Sequence, residues 1–190
     1  MPDNSLLYAN CSNGVSSLNV KKVFQLLNQM IRDGVIPNYA IGGAIGAVFY
    51  VEPFATQDID VFVLMTDEQT GLVTEIPGWR YLKQHGYTEI RGEAIVVEDW
   101  PVQFIPVSDA LEEEAFLNAA VQEFEGESVR VMLAEHLVAI MLKVGRLKDS
   151  VRAQMFFSQE AVDRTCSWIS STDTAWKNSG RISKLEGCNE

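Results

Sequence analysis

Thr56-Gln57-Asp58-Ile59-Asp60-Val61-Phe62-Val63-Leu64-Met65 is the stretch that decides the fold. From Asp58 to Met65 it has the β-branched and aromatic content of an interior strand. Two acids stand out in that setting. Their spacing of two sends both side chains to one face of the strand, about 6.6 Å apart along its axis. Carboxylates aimed at one place repel each other, and a bound Mg²⁺ relieves that repulsion while meeting its own preference for oxygen ligands. The plain alternative is an acidic pair at a sheet edge facing water, because short acidic pairs are common at strand ends.

Working backwards along the chain, Tyr39 to Ile41 is a short apolar strand that runs into Gly42-Gly43, and Ala44 to Val51 is apolar nearly all round, as in a buried helix. Glycines let a backbone approach a phosphate closely, and the first amides of a helix attract negative charge. Taken alone, the same glycines describe a tight strand-to-helix turn. Before them, Leu18, Val20, Val23, Phe24, Leu27, Met30 and Ile31 recur at helical spacing, which predicts an amphipathic helix over 18–33 that Gly34 ends. Forwards, Gly78 to Gln84 reads as a short helix, and Tyr87 to Ile90, Ala94 to Val97 and Val102 to Ile105 read as short strands. Asp109 caps a helix expected to reach Ala120, Ser128 to Leu133 is extended, and an apolar helical stripe runs from Glu135 to Gly145. A helical pair follows, over 149–157 and 160–169. The fold class is therefore α/β (α+β): a mixed sheet with flanking helices over 1–125, a helical part over 126–170 packed on that core, and a tail over 171–190, rich in Ser, Asn and Gly, expected to be disordered.

The chain has 190 residues with 47% hydrophobic content and 22% charged, which suits one substantial core and excludes a largely disordered or fibrous protein. Fifteen Lys plus Arg against 26 Asp plus Glu give a formal charge of -11, which disfavours nonspecific nucleic-acid binding. Cys11, Cys166 and Cys188 are odd in number and far apart, so they suggest neither a disulfide framework nor a zinc site. Met1 to Asn10 lacks the pattern of a signal peptide, and no segment approaches the roughly 18 apolar residues of a membrane span. The expectation is a cytoplasmic protein with no membrane partner.

Together, Ile41-Gly42-Gly43-Ala44 and Thr56-Gln57-Asp58-Ile59-Asp60-Val61 resemble the nucleotidyltransferase superfamily of DNA polymerase beta type. Its members share a glycine turn, a strand with two alternating acids and a third acid on a later strand. The resemblance implies that Gly42, Gly43 and Ala44 hold a triphosphate, with Thr56 the small hydroxyl residue ahead of the acids. It implies that Asp58 and Asp60 bind Mg²⁺ or Mn²⁺. Paired cations suit phosphoryl chemistry because they neutralise the attacking and leaving oxygens together. The third acid falls in Trp100-Pro101-Val102-Gln103-Phe104-Ile105, where this chain has Gln103. An amide hydrogen-bonds but is a poor proton acceptor, so the departure bears on catalysis.

A second stretch, Glu135 to Lys143 followed by Gly145-Arg146-Leu147-Lys148-Asp149, resembles small bacterial nucleotidyltransferase-like proteins related to abortive-infection and toxin-antitoxin systems. Lys143, Arg146 and Lys148 concentrate positive charge in an acidic chain, where they either meet a triphosphate or stabilise a helix end. Glu98 and Asp99 are the acids near Gln103 that a hairpin would have to turn inward to replace the missing one. His85 and His136 lack ligand spacing and read as surface residues and not as catalysts. The function implied is Mg²⁺-dependent binding of a nucleoside triphosphate and nucleotidyl transfer to a hydroxyl on a protein, an RNA or a small molecule. The alternative is a non-catalytic nucleotide-binding or antitoxin-like protein with a toxin or antitoxin partner.

Overall fold

In chain order the computed structural model, which describes residues 17–53, 56–65 and 77–162, forms α1 (Ser17–Arg32), β1 (Ala40–Ile41), α2 (Gly43–Ala47), β2 (Ile59–Val63), α3 (Pro77–Gln84), β3 (Ile90–Arg91), β4 (Ala94–Val97), β5 (Trp100–Pro106), α4 (Ala110–Leu117), β6 (Ala120–Phe124), β7 (Glu127–Val131), α5 (Ala134–Val144) and α6 (Leu147–Ser158). The strands make one mixed sheet of order β3-β4-β5-β2-β1-β7-β6, with β2 parallel to β5 and β1 parallel to β7. Among the described residues no helix is long and apolar enough to cross a membrane.

Alternation along the strands divides the apolar residues between two cores. Ile59, Val61 and Val63 of β2 and Trp100, Val102 and Phe104 of β5 pack on one face with Val20, Val23, Phe24 and Leu27 of α1. Phe62 on the other face joins Leu137 and Met141 of α5, Phe156 of α6 and Phe116 of α4. Fully burying each such side chain contributes about 1.5–3 kcal/mol. The acids of the deciding strand stand on the face covered by α5 and α6.

Most boundaries fall within a residue or two of those predicted from sequence. Helix α1 ends at a left-handed Gly34 (φ +69), where the Gly34 and Val35 amides donate to the carbonyls of Ile31 and Met30 and satisfy its last turn. Helix α2 is shorter than expected: it stops at Ala47, and 48–50 are turn residues. β-branched and aromatic Val48, Phe49 and Tyr50 lose side-chain freedom in a helix, and this segment leads into Pro53. β3 holds only Ile90–Arg91, with Tyr87 before it in the loop.

The helix expected to reach Ala120 ends instead at Leu117, and Ala120–Phe124 is strand β6. Glu125 and Gly126 both have positive φ, 49° and 85°, the geometry of a two-residue hairpin turn, and β7 returns antiparallel to β6. The helix expected over 160–169 does not begin at Glu160, which has φ 55°, or include Ala161 and Val162; the rest of it, like the tail expected over 171–190, lies outside the described residues.

Asp109 caps α4 as expected: its carboxylate accepts from the amides of Leu111 at 3.0 Å and Glu112 at 3.1 Å. It also pairs with Lys143 of α5, so one side chain starts one helix and ties it to another. Asp109→Ala should lower stability by about 1–2 kcal/mol in chemical denaturation, more than Lys143→Ala, which leaves the cap in place. Equal losses would show that the ion pair outweighs the cap.

Candidate functional site

Asp58, Asp60 and Gln103 come together through β2 and β5. The parallel register sets Asp60 beside Gln103, and registered residues of adjacent strands send their side chains to the same face. For β5 this is the face opposite Trp100, Val102 and Phe104, which pack on α1. The Gln103 Nε2 donates to Glu93 Oε2 at 3.1 Å, so a carboxylate from the β3–β4 turn stands next to the position where the resemblance places an acid. Asp58 is held from its own loop, since the Thr56 hydroxyl donates to its Oδ1 at 3.1 Å. Thr56 thus orients an acid.

The two glycines fit around Asp60. The Gly42 amide donates to the Asp60 carbonyl at 3.0 Å, which fixes the turn to β2. Gly43 has φ +55°, and a Cβ there would lie 1.8 Å from Asp60 Oδ2. A side chain at 43 and the carboxylate of Asp60 cannot share that space. A Cβ at Gly42 would meet the Phe62 ring at 2.5 Å. Ala44 follows, buried, at the start of α2.

Burial pushes the Asp60 carboxyl up to about 6, and the charge of Asp58 pushes the same way. Arg146, Lys148 and Arg152 oppose this, so those cations lie within electrostatic reach of Asp60. Arg146 leads into α6, and its Nε and Nη2 donate to the Asp149 carboxylate at 2.7 and 3.4 Å. That hydrogen-bonded pairing raises the guanidinium's pKa most; partial burial opposes it, and Asp60 and Asp58 add to it. Arg152 was not expected from sequence. Its signal was the four-residue spacing from Lys148, which puts both on one side of a helix.

Lys143 is not part of this group; it pairs with Asp109 and, at 3.1 Å, with Glu112, linking α5 to α4. Glu98 and Asp99 form the β4–β5 turn and bind Lys22 at 2.7 Å and Asn19 at 3.2 Å, both on α1. His85 stacks on Tyr81, whereas His136, expected at the surface, is buried 3.4 Å from Glu114.

Among the described residues no group of three or more His, Cys, Asp or Glu side chains is arranged to hold a metal. The donors on offer are two carboxylates and the amide of Gln103. Two mutually repelling hard oxygen donors, one of them half-buried and reluctant to ionise, fit one divalent cation whose remaining positions would go to water or phosphate oxygens.

A carboxyl with a raised pKa binds its proton more tightly in the folded protein than in the unfolded chain. Its contribution is therefore full below the unfolded value near 4 and is lost as pH rises through about 6. Without metal, Asp60→Asn should gain stability over the wild type as pH rises from 4 to 7, by up to about 3 kcal/mol. A difference that stays flat across that range in thermal melts would overturn the assignment. Gly43→Ala should lose about 2 kcal/mol or more, since both the positive φ and the Asp60 carboxylate oppose a methyl there.

Neither a protein-family model nor a curated protein matches the sequence. Among solved structures, the chain is similar to an antigenic nucleotidyltransferase-like protein from Paracoccidioides brasiliensis, with TM-score 0.58 and 12% identity over 90% of this chain and 93% of that one. It is also similar to ANT(2")-Ia in complex with adenylyl-2"-tobramycin, with TM-score 0.51 and 13% identity over 84% of this chain and 97% of that one. These likenesses rest on shape and not on sequence, and what they show is that the chain has a nucleotidyltransferase-type fold.

Proposed function

We propose that this chain binds a magnesium nucleoside triphosphate at the Asp58–Asp60 site and transfers its nucleotidyl group to a hydroxyl of an acceptor. The observation that carries the reading is the Asp60 carboxylate lodged against a side-chain-free turn, with Asp58 beside it and the α6 cations near enough to act on it. Asp58 and Asp60 would hold the cation. When bound, it neutralises charge on the phosphate oxygens. The glycine turn makes room for the Asp60 carboxylate, and Arg146, Lys148 and Arg152 supply positive charge that the chain as a whole lacks. A neighbour of the same fold, solved with an adenylylated aminoglycoside, is in keeping with nucleotidyl transfer to a small molecule.

In this reading the acceptor oxygen forms a bond to the α-phosphorus. The bond from that phosphorus to the oxygen bridging to the β-phosphate breaks, and pyrophosphate leaves with the electron pair. The acceptor proton must go to a base. Gln103 cannot take it, whereas the Glu93 carboxylate, which accepts a hydrogen bond from Gln103, is able to. A second reading, nucleotide binding without transfer, draws on the same substitution, because an amide beside Asp60 supplies neither charge nor a proton acceptor.

The test incubates the full chain with Mg²⁺ and each α-labelled nucleoside triphosphate, adding cell lysate or tobramycin as acceptor, while calorimetry follows nucleotide binding. Transfer by the wild type, lowered about 10²–10⁴-fold in Glu93→Gln with affinity for the nucleotide retained, is the expected result. Binding without transfer would favour the second reading, and Gln103→Asp, which places a carboxylate directly beside Asp60, should then create a measurable rate. Absence of Mg²⁺-dependent nucleotide binding would overturn both.

A further inference from the structure

Asp149 is the one acidic side chain among the buried residues described; its partner Arg146 is mostly in water, with side chains 4% and 61% exposed respectively. A buried carboxylate is costly unless paired. Here the pairing is two-pointed, through Nε and Nη2. As a device for stability alone the arrangement is poor. An ion pair with one end in solvent contributes little, and Arg146 makes no side-chain cap for α6, which a Ser or Asp at that position would.

The direction of the pair gives it a use. Through its two contacts, Asp149 fixes the plane of a guanidinium whose charge acts on both Asp58 and Asp60. Of its five N–H donors, the Nε hydrogen and one on Nη2 go to Asp149, and the rest of the fork remains for another planar or tetrahedral anion. A free arginine would lose rotamer entropy on gripping a phosphate; one already held by a rigid acid loses less.

We infer that Asp149 is a positioning residue, a buried carboxylate that holds the Arg146 fork ready for the phosphates of a magnesium-bound triphosphate. The inference rests on the reading of the Asp58–Asp60 site as a triphosphate site and adds that the grip comes from the pair and not from positive charge in general. Lys148 and Arg152 then contribute diffuse attraction, while Arg146 contributes geometry. A first-turn acid that only stabilises the α6 dipole would instead affect folding and not binding.

The experiment measures binding of MgATP, and of magnesium tripolyphosphate as a probe without base or sugar, by calorimetry on the full chain, with melting temperatures recorded alongside. Arg146→Ala should weaken both ligands about ten- to a hundredfold, and Asp149→Asn should weaken both by a comparable factor. The double variant should bind no worse than Arg146→Ala alone, since the acid acts only through the arginine. Arg146→Lys, which keeps the charge but loses the two-point fork, should recover little, and it tests the claim even if Asp149→Asn does not fold. Unchanged affinity in Asp149→Asn, losses that multiply in the double variant, or full affinity in Arg146→Lys would each overturn the inference. A wild type that binds neither probe would overturn the triphosphate reading itself, and this inference with it.

Discussion

One close approach governs the site: the carboxylate of Asp60 occupies the space that a side chain at Gly43 would need. An interior strand is a costly place for an acid, and the price appears as a carboxyl pushed up to about 6 by burial and by its neighbour Asp58. The protein tolerates this because three independent pieces converge on it. The Gly42 amide ties the turn to the Asp60 carbonyl, the absent Cβ of Gly43 makes room, and α6 brings cations to the same place. Each piece comes from a different part of the chain, so the site is a property of the whole sheet-and-helix assembly.

The overall charge gives those cations their weight. In a chain of formal charge -11, an anion is repelled unless positive groups are gathered locally. Arg146, Lys148 and Arg152 are gathered at the start of α6, and α5 delivers them there by ending at a left-handed Gly145, after which the chain turns into a new helix. Lys143, one turn earlier, is spent on joining α5 to α4 through Asp109 and Glu112. Four cations close together in sequence therefore divide into one that holds the fold and three that act on Asp60.

The neutral residue beside Asp60 shapes the chemistry in a different way. Gln103 has the register and the face of Asp60 but no charge, and it bonds to Glu93, which extends the row of polar groups from β2 through β5 to the β3–β4 turn. The row widens the site away from the glycine turn. Opposite charges are thereby separated in space: cations lie at the start of α6, and a carboxylate lies beyond Gln103.

Much of this was legible in the sequence because it follows from periodicity. A spacing of two put Asp58 and Asp60 on one face, alternation around Gln103 separated it from Val102 and Phe104, and a strand ending in two glycines announced the turn. The fold class followed from the same patterns. Strand β6 was not legible in the sequence because Ala120 to Phe124 continues a helix as plausibly as it forms an edge strand, and only pairing with β7 across the Glu125-Gly126 turn decides between them. The different roles of Lys143 and Arg146, and the places of Glu93 and Arg152, were not legible either, because side chains remote in sequence become neighbours only when strands take their register and helices their packing. Local pattern determined which residues lie on which face. Tertiary structure decided which faces meet, since contacts between distant segments are fixed by the shared burial of apolar surface and not by any one segment alone.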